Sequence, residues 1–224
     1  QLGKDLAPRL AQRFGAGCVT DVTVIEQGEN GLEFVRPAYG GTVLERLAVS
    51  GPVQFATVRS GSFTKPEAAE GSVEEKEAPV AADALKAKVV DAAKEIAEAV
   101  DLEGADVIVT GGRGMGDAEN FKLVEELAAL LGGVVGASRP AIEEGWASRA
   151  HQVGQSGKIV APKLYIACGV SGAMQHVSGI MGSKYIVAIN KDEAASIFDI
   201  ADVGIVGDVK EILPLLIEEI KARK

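Results

Sequence analysis

The sequence predicts an α/β fold in which a parallel sheet is covered by helices. In the second half of the 224 residues, short β-branched apolar runs alternate with amphipathic helical patterns, and this alternation is typical of βα units. Gly-rich turns follow several of the apolar runs, at the places where such folds bind ligands. The chain also has the composition of a globular protein, with 47% hydrophobic and 25% charged residues.

Residues 1–79 predict the C-terminal part of one α/β domain, followed by an acidic linker. Asp5 can cap a helix over about 4–14. Strands are predicted at 18–26, 32–41 and 53–59, with a hairpin turn at 28–31. The Glu-rich segment 64–79 is typical of a linker. Because no strand precedes the first helix, we expect the upstream portion of this domain to be missing.

Residues 80–224 predict a second domain, a Rossmann-like parallel sheet. Its helices are predicted at 82–100, 118–131, 171–179 and 209–224. Its strands are predicted at 105–110, 133–138, 163–168, 185–190 and 203–207. Because the carboxyl ends of parallel strands share one edge of the sheet, the loops that follow these strands should converge there.

The strongest functional signal is the segment 152–176, QVGQSGKIVAPKLYIACGVSGAMQH. It combines a Gly-flanked hydroxyl loop, a short strand, a Gly/Ser turn and a helix start. Backbone N–H groups at such a turn, leading into a helix, bind phosphate. Arg113 and the pair Ser138–Arg139 each follow an apolar run and should lie at the same edge. The pattern therefore predicts an extended anionic ligand, for which a dinucleotide is the natural candidate.

The turn TGGRGMGD at 110–117 matches neither GxGxxG nor a P-loop. On its own, Arg113 is equally well explained as the surface residue of a tight turn, and Arg139 as a solvated charge. A guanidinium at either place can also bind phosphate oxygens bidentately. His151 has no motif around it and receives no role.

Charge and cysteine content exclude several classes of function. The net charge of −9 argues against nucleic acid and anionic membranes as partners, and no apolar run reaches the length of a membrane span. The two cysteines have no metal-binding spacing, and Cys168 is expected to be a buried strand thiol of a protein in a reducing compartment. No metal site, catalytic triad or carboxylate pair is evident, so a bound cofactor would carry any redox chemistry.

Several long segments resemble the alpha subunit of electron-transfer flavoprotein, and the resemblance extends over essentially the whole chain. The matching segments are 2–23, 34–44, 109–128, 135–146, 152–176, 188–192 and 201–208. The resemblance implies an FAD-binding domain at 80–224. It also implies an electron carrier rather than a stand-alone enzyme, in a heterodimer with a beta subunit.

The resemblance implies specific roles for the loop residues. Arg139, Ser156 and His176 are expected to tune the flavin, Arg139 as a cation at the reactive edge and His176 as a donor to the pyrimidine carbonyl. Ser156 departs from the threonine frequent in the family but keeps the hydroxyl. The residues expected to bind FAD are Arg113, Ser138, Arg139, Gln152, Val153, Gly154, Gln155, Ser156, Ser171, Gly172, Ala173, Met174, Gln175, His176, Asn190 and Asp208.

The implied function is transfer of electrons from flavin dehydrogenases, such as acyl-CoA dehydrogenases, to a membrane quinone reductase, without insertion of this chain into the membrane. The implied location is the cytoplasm in bacteria or archaea, which we favour, or the mitochondrial matrix in eukaryotes. One alternative within the family is a bifurcating flavoprotein that uses NADH. Alternatives of other classes are a nicotinamide-binding domain of a transhydrogenase-like or deoxyhypusine-synthase-like protein, and a non-catalytic nucleotide-binding module.

Overall fold

The computed structural model describes residues 2–64, 66–67, 71–76 and 101–223. The helix expected at 82–100, the boundary expected between 79 and 80, and part of the linker expected at 64–79 lie outside the described residues. The N-terminal elements are α1 (Leu2–Phe14), β1 (Gly17–Val22), β2 (Val24–Gly28), β3 (Gly31–Ala38), β4 (Val43–Ala48) and β5 (Gln54–Val58). The C-terminal elements are β6 (Val107–Gly111), α2 (Ala118–Leu130), β7 (Val134–Ala137), α3 (Arg139–Glu143), β8 (Leu164–Cys168), α4 (Met174–Val177), β9 (Ile186–Asn190), β10 (Val203–Val206) and α5 (Val209–Arg223).

The N-terminal part combines a parallel pair, β1 and β5, with an antiparallel sheet in the order β2-β3-β4. The predicted hairpin turn is present, since Gly28 pairs with Gly31. The single strand predicted at 18–26 is instead two strands, which are separated at Thr23. Within β1, the pairing with β5 shifts register between Val19 and Val22, around Asp21, whose φ is 63°. Arg59 donates from Nε to Asp21 Oδ1 at 3.0 Å. The sequence analysis also missed β4, which pairs with β3.

The C-terminal part is a five-stranded, all-parallel sheet in the order β10-β9-β8-β6-β7. All five of its strands were predicted, and the α/β fold class with parallel strands is confirmed. After β6 the chain adds β7 on one side, and then returns to add β8 on the other. This change of direction creates a crevice at the carboxyl ends of β6 and β8, where open α/β sheets bind ligands.

Alternating side chains of the sheet bury its two faces. Val109, Ile166 and Ile189 belong to one apolar cluster, together with residues of α2 and α5. Ile108 and Tyr165 belong to a second cluster on the opposite face. Helix α5 runs through Pro214 without a break. Within the described ranges, none of the helices has both the length and the apolar character needed to cross a membrane.

The helix predicted at 171–179 is wrong in length, because α4 covers only Met174–Val177. Gly172, with a φ of +85°, keeps the preceding residues out of the helix. The short helix α3 was not predicted, although Pro140 occupies its first turn, where proline is well tolerated.

Candidate functional site

A cavity of about 880 Å³ lies at the carboxyl ends of the parallel sheet. Its volume falls within the range usual for cofactor sites, roughly 300–1,000 Å³. The loops after all five strands contribute to its wall, so the sheet order explains why residues far apart in sequence meet here. All the residues predicted to bind the ligand line this cavity except Gly172 and Met174.

The loop after β6 is pressed against the loop after β8. Gly112 donates its N–H to the Cys168 carbonyl at 2.8 Å, and Gly114 donates to the Gly169 carbonyl at 2.9 Å. A Cβ at Gly112 would lie 2.3 Å from the Gly169 oxygen, so only glycine allows this approach. Arg113 lies between the two glycines, is exposed at the cavity, and has no carboxylate partner among the described residues.

Ser138 and Arg139 connect β7 to α3. Ser138 is anchored by its N–H, which donates to the Gly111 carbonyl at 3.0 Å. Its buried hydroxyl has no hydrogen-bond partner within the described part of the chain. Arg139 donates from Nε to Glu143 Oε1 at 2.8 Å, four residues along α3. The guanidinium therefore reaches the cavity beside a carboxylate that the sequence analysis did not identify.

The loop 152–157 is held in a compact turn against α4. Gln155 donates its N–H to the Gln175 carbonyl at 2.7 Å. Gly154 has a φ of +135°, a conformation that favours glycine. Gln152 Nε2 donates to Ser156 Oγ at 2.9 Å, which leaves the exposed Ser156 hydroxyl proton available to a ligand.

The loop after β8 places Gly172 behind the cavity rather than in its wall. Ile197 donates its N–H to the Ser171 carbonyl at 3.1 Å. A Cβ at Gly172 would lie 2.1 Å from the Ile197 nitrogen. Met174 is exposed, and it is also absent from the wall. Because α4 has only four residues, its helix dipole is small, and phosphate binding here would depend on the backbone N–H groups of the loop.

His176 is buried in the cavity wall and paired with a tyrosine. Its Nε2 lies 2.9 Å from the hydroxyl of Tyr165, and its Nδ1 has no hydrogen-bond partner among the described residues. Burial lowers the pKa of His176 to about 4. The Val153 backbone acts in the opposite direction as a hydrogen-bonding group, but it forms no hydrogen bond of normal geometry with Nδ1. The imidazole is therefore neutral near pH 7 and carries a proton on only one nitrogen.

The loops after β9 and β10 complete the wall. Asn190 donates from Nδ2 to the Val170 carbonyl at 2.8 Å and accepts from the Asp192 N–H at 3.0 Å, so its amide joins two loops. Asp208 accepts from the Lys210 N–H at 2.9 Å. The wall residues that the sequence analysis missed are Gly114, Pro140, Gly169, Val170, Lys191, Asp192, Ala194, Ala195, Ser196 and Val209. These residues lie in or next to the loops that follow the strands of the parallel sheet. Position after a predicted strand is therefore the sequence signal that could have identified them.

The arrangement fits an extended, anionic ligand with a flat polar group. Three cationic side chains, Arg113, Arg139 and Lys191, reach the cavity. Two buried polar atoms, Ser138 Oγ and His176 Nδ1, have no hydrogen-bond partner among the described residues. No group of three or more His, Cys, Asp or Glu side chains that could hold a metal ion occurs in the described ranges. A dinucleotide has the phosphates and ring edges that such groups could bind.

Two family models match the chain. The model described as the electron transfer flavoprotein FAD-binding domain matches residues 101–181, and the model described as the electron transfer flavoprotein domain matches residues 1–83.

Similar proteins include the electron transfer flavoprotein subunit alpha of Thermoanaerobacterium thermosaccharolyticum, 46% identical over 100% of this chain and 69% of the relative. The subunit alpha of Bacillus subtilis is 45% identical over 98% of this chain and 68% of the relative. The mitochondrial subunit alpha of Dictyostelium discoideum is 43% identical over 99% of this chain and 64% of the relative.

Proposed function

The chain belongs to the alpha-subunit family of electron transfer flavoproteins, and on that premise we propose that it carries one non-covalently bound FAD. We further propose that it takes electrons from flavin dehydrogenases, such as acyl-CoA dehydrogenases, and delivers them to a quinone reductase. In this function the FAD supplies the electron-accepting chemistry, and the protein binds it, orients it and sets its potential.

The observation that supports this proposal is the cavity at the crevice of the parallel sheet. Its wall carries separate cations and two buried polar atoms that have no partner within the described ranges, and burying such atoms is unfavourable unless a ligand completes their hydrogen bonds. Arg113 can bind phosphate oxygens bidentately. The backbone at Ser171 and Ala173, which line the cavity, can add N–H groups to the same diphosphate.

The flavin ring is assigned to the opposite part of the wall. Arg139 and Ser138 would hold one edge of the ring, Ser156 and the loop 152–155 would contact its face, and His176 would hold its pyrimidine end. Asn190 and Asp208 are assigned to the adenosine half. Gly172 contributes by placing its loop, and Met174 and Gln175 by beginning α4. The ring is a flat polar group, so it can use the orphan donors and acceptors that this part of the wall presents.

We also propose that the chain acts in a heterodimer with a beta subunit, because its relatives are named as alpha subunits. The domain division we propose places residues 1–79 in the end of an N-terminal domain and its linker, and residues 80–224 in the FAD-binding domain. All the described residues that line the cavity lie between 113 and 209, which supports this division.

Acid precipitation of the purified protein tests the cofactor. We expect a yellow supernatant that contains FAD by mass spectrometry, with the pellet colourless. Arg113→Ala should weaken FAD binding, whereas Arg149→Ala should not, because Arg149 is exposed and outside the cavity wall. Nicotinamide dinucleotide in the supernatant, or colour that stays with the pellet, would overturn the proposal.

A further inference from the structure

Tyr165 lies outside the cavity wall itself and forms a hydrogen bond with the wall residue His176. It is fully buried on β8 and belongs to the apolar cluster on its face of the sheet. Its hydroxyl makes one hydrogen bond among the described residues, to His176 Nε2 at 2.9 Å. A buried hydroxyl inside an apolar cluster is unfavourable without such a bond, so the pair restrains the imidazole.

The direction of this hydrogen bond follows from the inventory of donors and acceptors. The phenol has one proton and needs an acceptor for it. The unprotonated Nε2 of His176 is an acceptor at hydrogen-bond distance. If Nε2 carried the proton instead, the buried phenol would have to donate elsewhere. The group near enough for that is Thr110, whose hydroxyl acts on the pKa of Tyr165 but forms no hydrogen bond of normal geometry with it.

The protonation states of both side chains are compatible with this direction. Burial raises the pKa of the Tyr165 phenol well above its ordinary value, so the phenol keeps its proton. Burial lowers the pKa of His176 to about 4, so the imidazole is neutral near pH 7. When the neutral phenol donates its proton to Nε2, the one proton of the neutral imidazole lies on Nδ1.

We propose that Tyr165 is a positioning residue: its phenol donates to Nε2 of His176 and thereby holds the imidazole as the tautomer protonated at Nδ1. The nitrogen left without a partner in the wall is then a neutral hydrogen-bond donor. Tyr165 would thus influence ligand choice although it does not line the cavity. A ligand that presents a carbonyl oxygen to His176 Nδ1 is favoured over a ligand that presents a hydrogen-bond donor there.

The consequence for FAD depends on the proposed function. The pyrimidine edge of the flavin carries carbonyl oxygens, and a fixed Nδ1–H at that edge would donate to one of them. Because the donor is neutral, it contributes as one ordinary hydrogen bond. Loss of the tautomer preference should therefore weaken FAD binding only a few-fold, whereas loss of the whole imidazole should weaken it more.

Nitrogen NMR of the imidazole tests the tautomer without any variant. The chain contains only two histidines, His151 and His176, so protein labelled with ¹⁵N-histidine gives two sets of signals, and His151→Gln assigns them. We expect a protonated, pyrrole-type Nδ1 and an unprotonated, pyridine-type Nε2 for His176 at pH 7, both with and without FAD. A protonated Nε2 would overturn the proposal. Because this measurement does not need the cofactor, it is independent of the proposed function.

The variant Tyr165→Phe tests the cause. It removes only the hydroxyl, so we expect the two nitrogen shifts of His176 to move toward each other as the tautomers mix. We also expect FAD binding to weaken about fivefold, which corresponds to about 1 kcal/mol for a neutral hydrogen bond. Tyr185→Phe is the matched control, since Tyr185 is half-exposed and outside the wall. It should change neither the nitrogen shifts of His176 nor the affinity for FAD. Unchanged nitrogen shifts in folded Tyr165→Phe would overturn the positioning role, and if that variant does not fold, the wild-type tautomer still decides the proposal.

Discussion

The charge of Arg139 is shared with a neighbouring carboxylate. The Arg139 Nε donates to Glu143 at 2.8 Å, and both side chains are more than half exposed. Water and Glu143 together reduce the field that the guanidinium exerts on a ligand in the cavity. In the proposed function, the effect of Arg139 on the flavin would therefore be a balance of two opposite charges.

This pair predicts opposite shifts of the first one-electron potential of the bound flavin. Arg139→Ala should lower the potential, because a cation favours the ring that has gained an electron. Glu143→Gln should raise it, because the opposing anion is removed. An interaction of about 1 kcal/mol for exposed charges corresponds to a shift of about 40 mV. Spectroelectrochemical titration of the two variants measures both shifts.

The matched control is Glu119→Gln on α2. Glu119 also forms an exposed ion pair, with Lys122 at 2.8 Å, but lies outside the cavity wall. Its removal should leave the potential unchanged. If Arg139→Ala and Glu143→Gln behave like this control, Arg139 is an ordinary surface charge and the flavin ring lies elsewhere.

His176 predicts a loss of stability in mild acid. Its pKa is lowered from 6.5 to about 4 by burial, so below pH 6.5 the unfolded chain binds a proton that the folded chain does not accept until about pH 4. The free energy of unfolding should therefore fall over this interval, by about 3 kcal/mol from this group. Urea unfolding of FAD-free protein at pH 7 and pH 4 measures the change.

The variant His176→Gln isolates that contribution, because other titrating groups are common to both proteins. The free energy of unfolding of the wild type minus that of His176→Gln should fall by about 3 kcal/mol on going from pH 7 to pH 4. His151→Gln, which removes the other histidine of the chain, is measured alongside as the control. A constant difference for His176→Gln would mean that the imidazole is solvated in the folded protein.

At the scale of elements, the loop after β8 is fixed by close backbone packing at Gly172. We expect Gly172→Ala to destabilise the fold and to abolish FAD binding. An added Cβ would lie 2.1 Å from the backbone nitrogen of Ile197, and the φ of +85° already disfavours alanine. The φ alone costs about 1 kcal/mol, so a loss clearly above that is expected. Thermal unfolding and FAD titration measure the two effects.

Gly116→Ala separates the backbone conformation from the clash. Gly116 has a φ of +89°, but its nearest neighbour to an added Cβ is the tip of Asn120 at 3.9 Å. It should lose only the conformational contribution and keep FAD binding. Equal losses in the two variants would show that the contact between the β8 loop and the turn Ser196–Ile200 does not determine the site.

At the scale of the whole molecule, we expect a fragment of residues 80–224 to fold and to retain FAD. The described residues of the cavity wall all lie within it, and its parallel sheet has its own apolar clusters on both faces. Affinity purification of the fragment, followed by flavin absorbance, measures this. The whole chain mixed with a beta subunit should give a heterodimer by light scattering, and a fragment without flavin would contradict the domain division.

The sequence by itself determined the features that local patterns encode. Alternating β-branched runs predicted all five strands of the C-terminal sheet, and the glycines after them located the loops of the wall. The family, the α/β class and the identity of most wall residues followed from these segments. The strand predicted at 18–26 was wrong because its two halves join different sheets, β1 with β5 and β2 with β3. Strand β4 was missed, and it pairs with β3 in the second of these sheets.

Only the tertiary structure decided which side chains meet. Nothing in the sequence pairs Tyr165 with His176, because their contact depends on how the β8 loop folds back over its own strand. The same holds for Gly172, whose backbone is packed against Ile197 and therefore faces away from the cavity. Periodicity reports which face of an element is buried, whereas contacts between loops depend on the order of strands in the sheet. That order is a property of the whole chain, and it determines which loops lie side by side in the cavity wall.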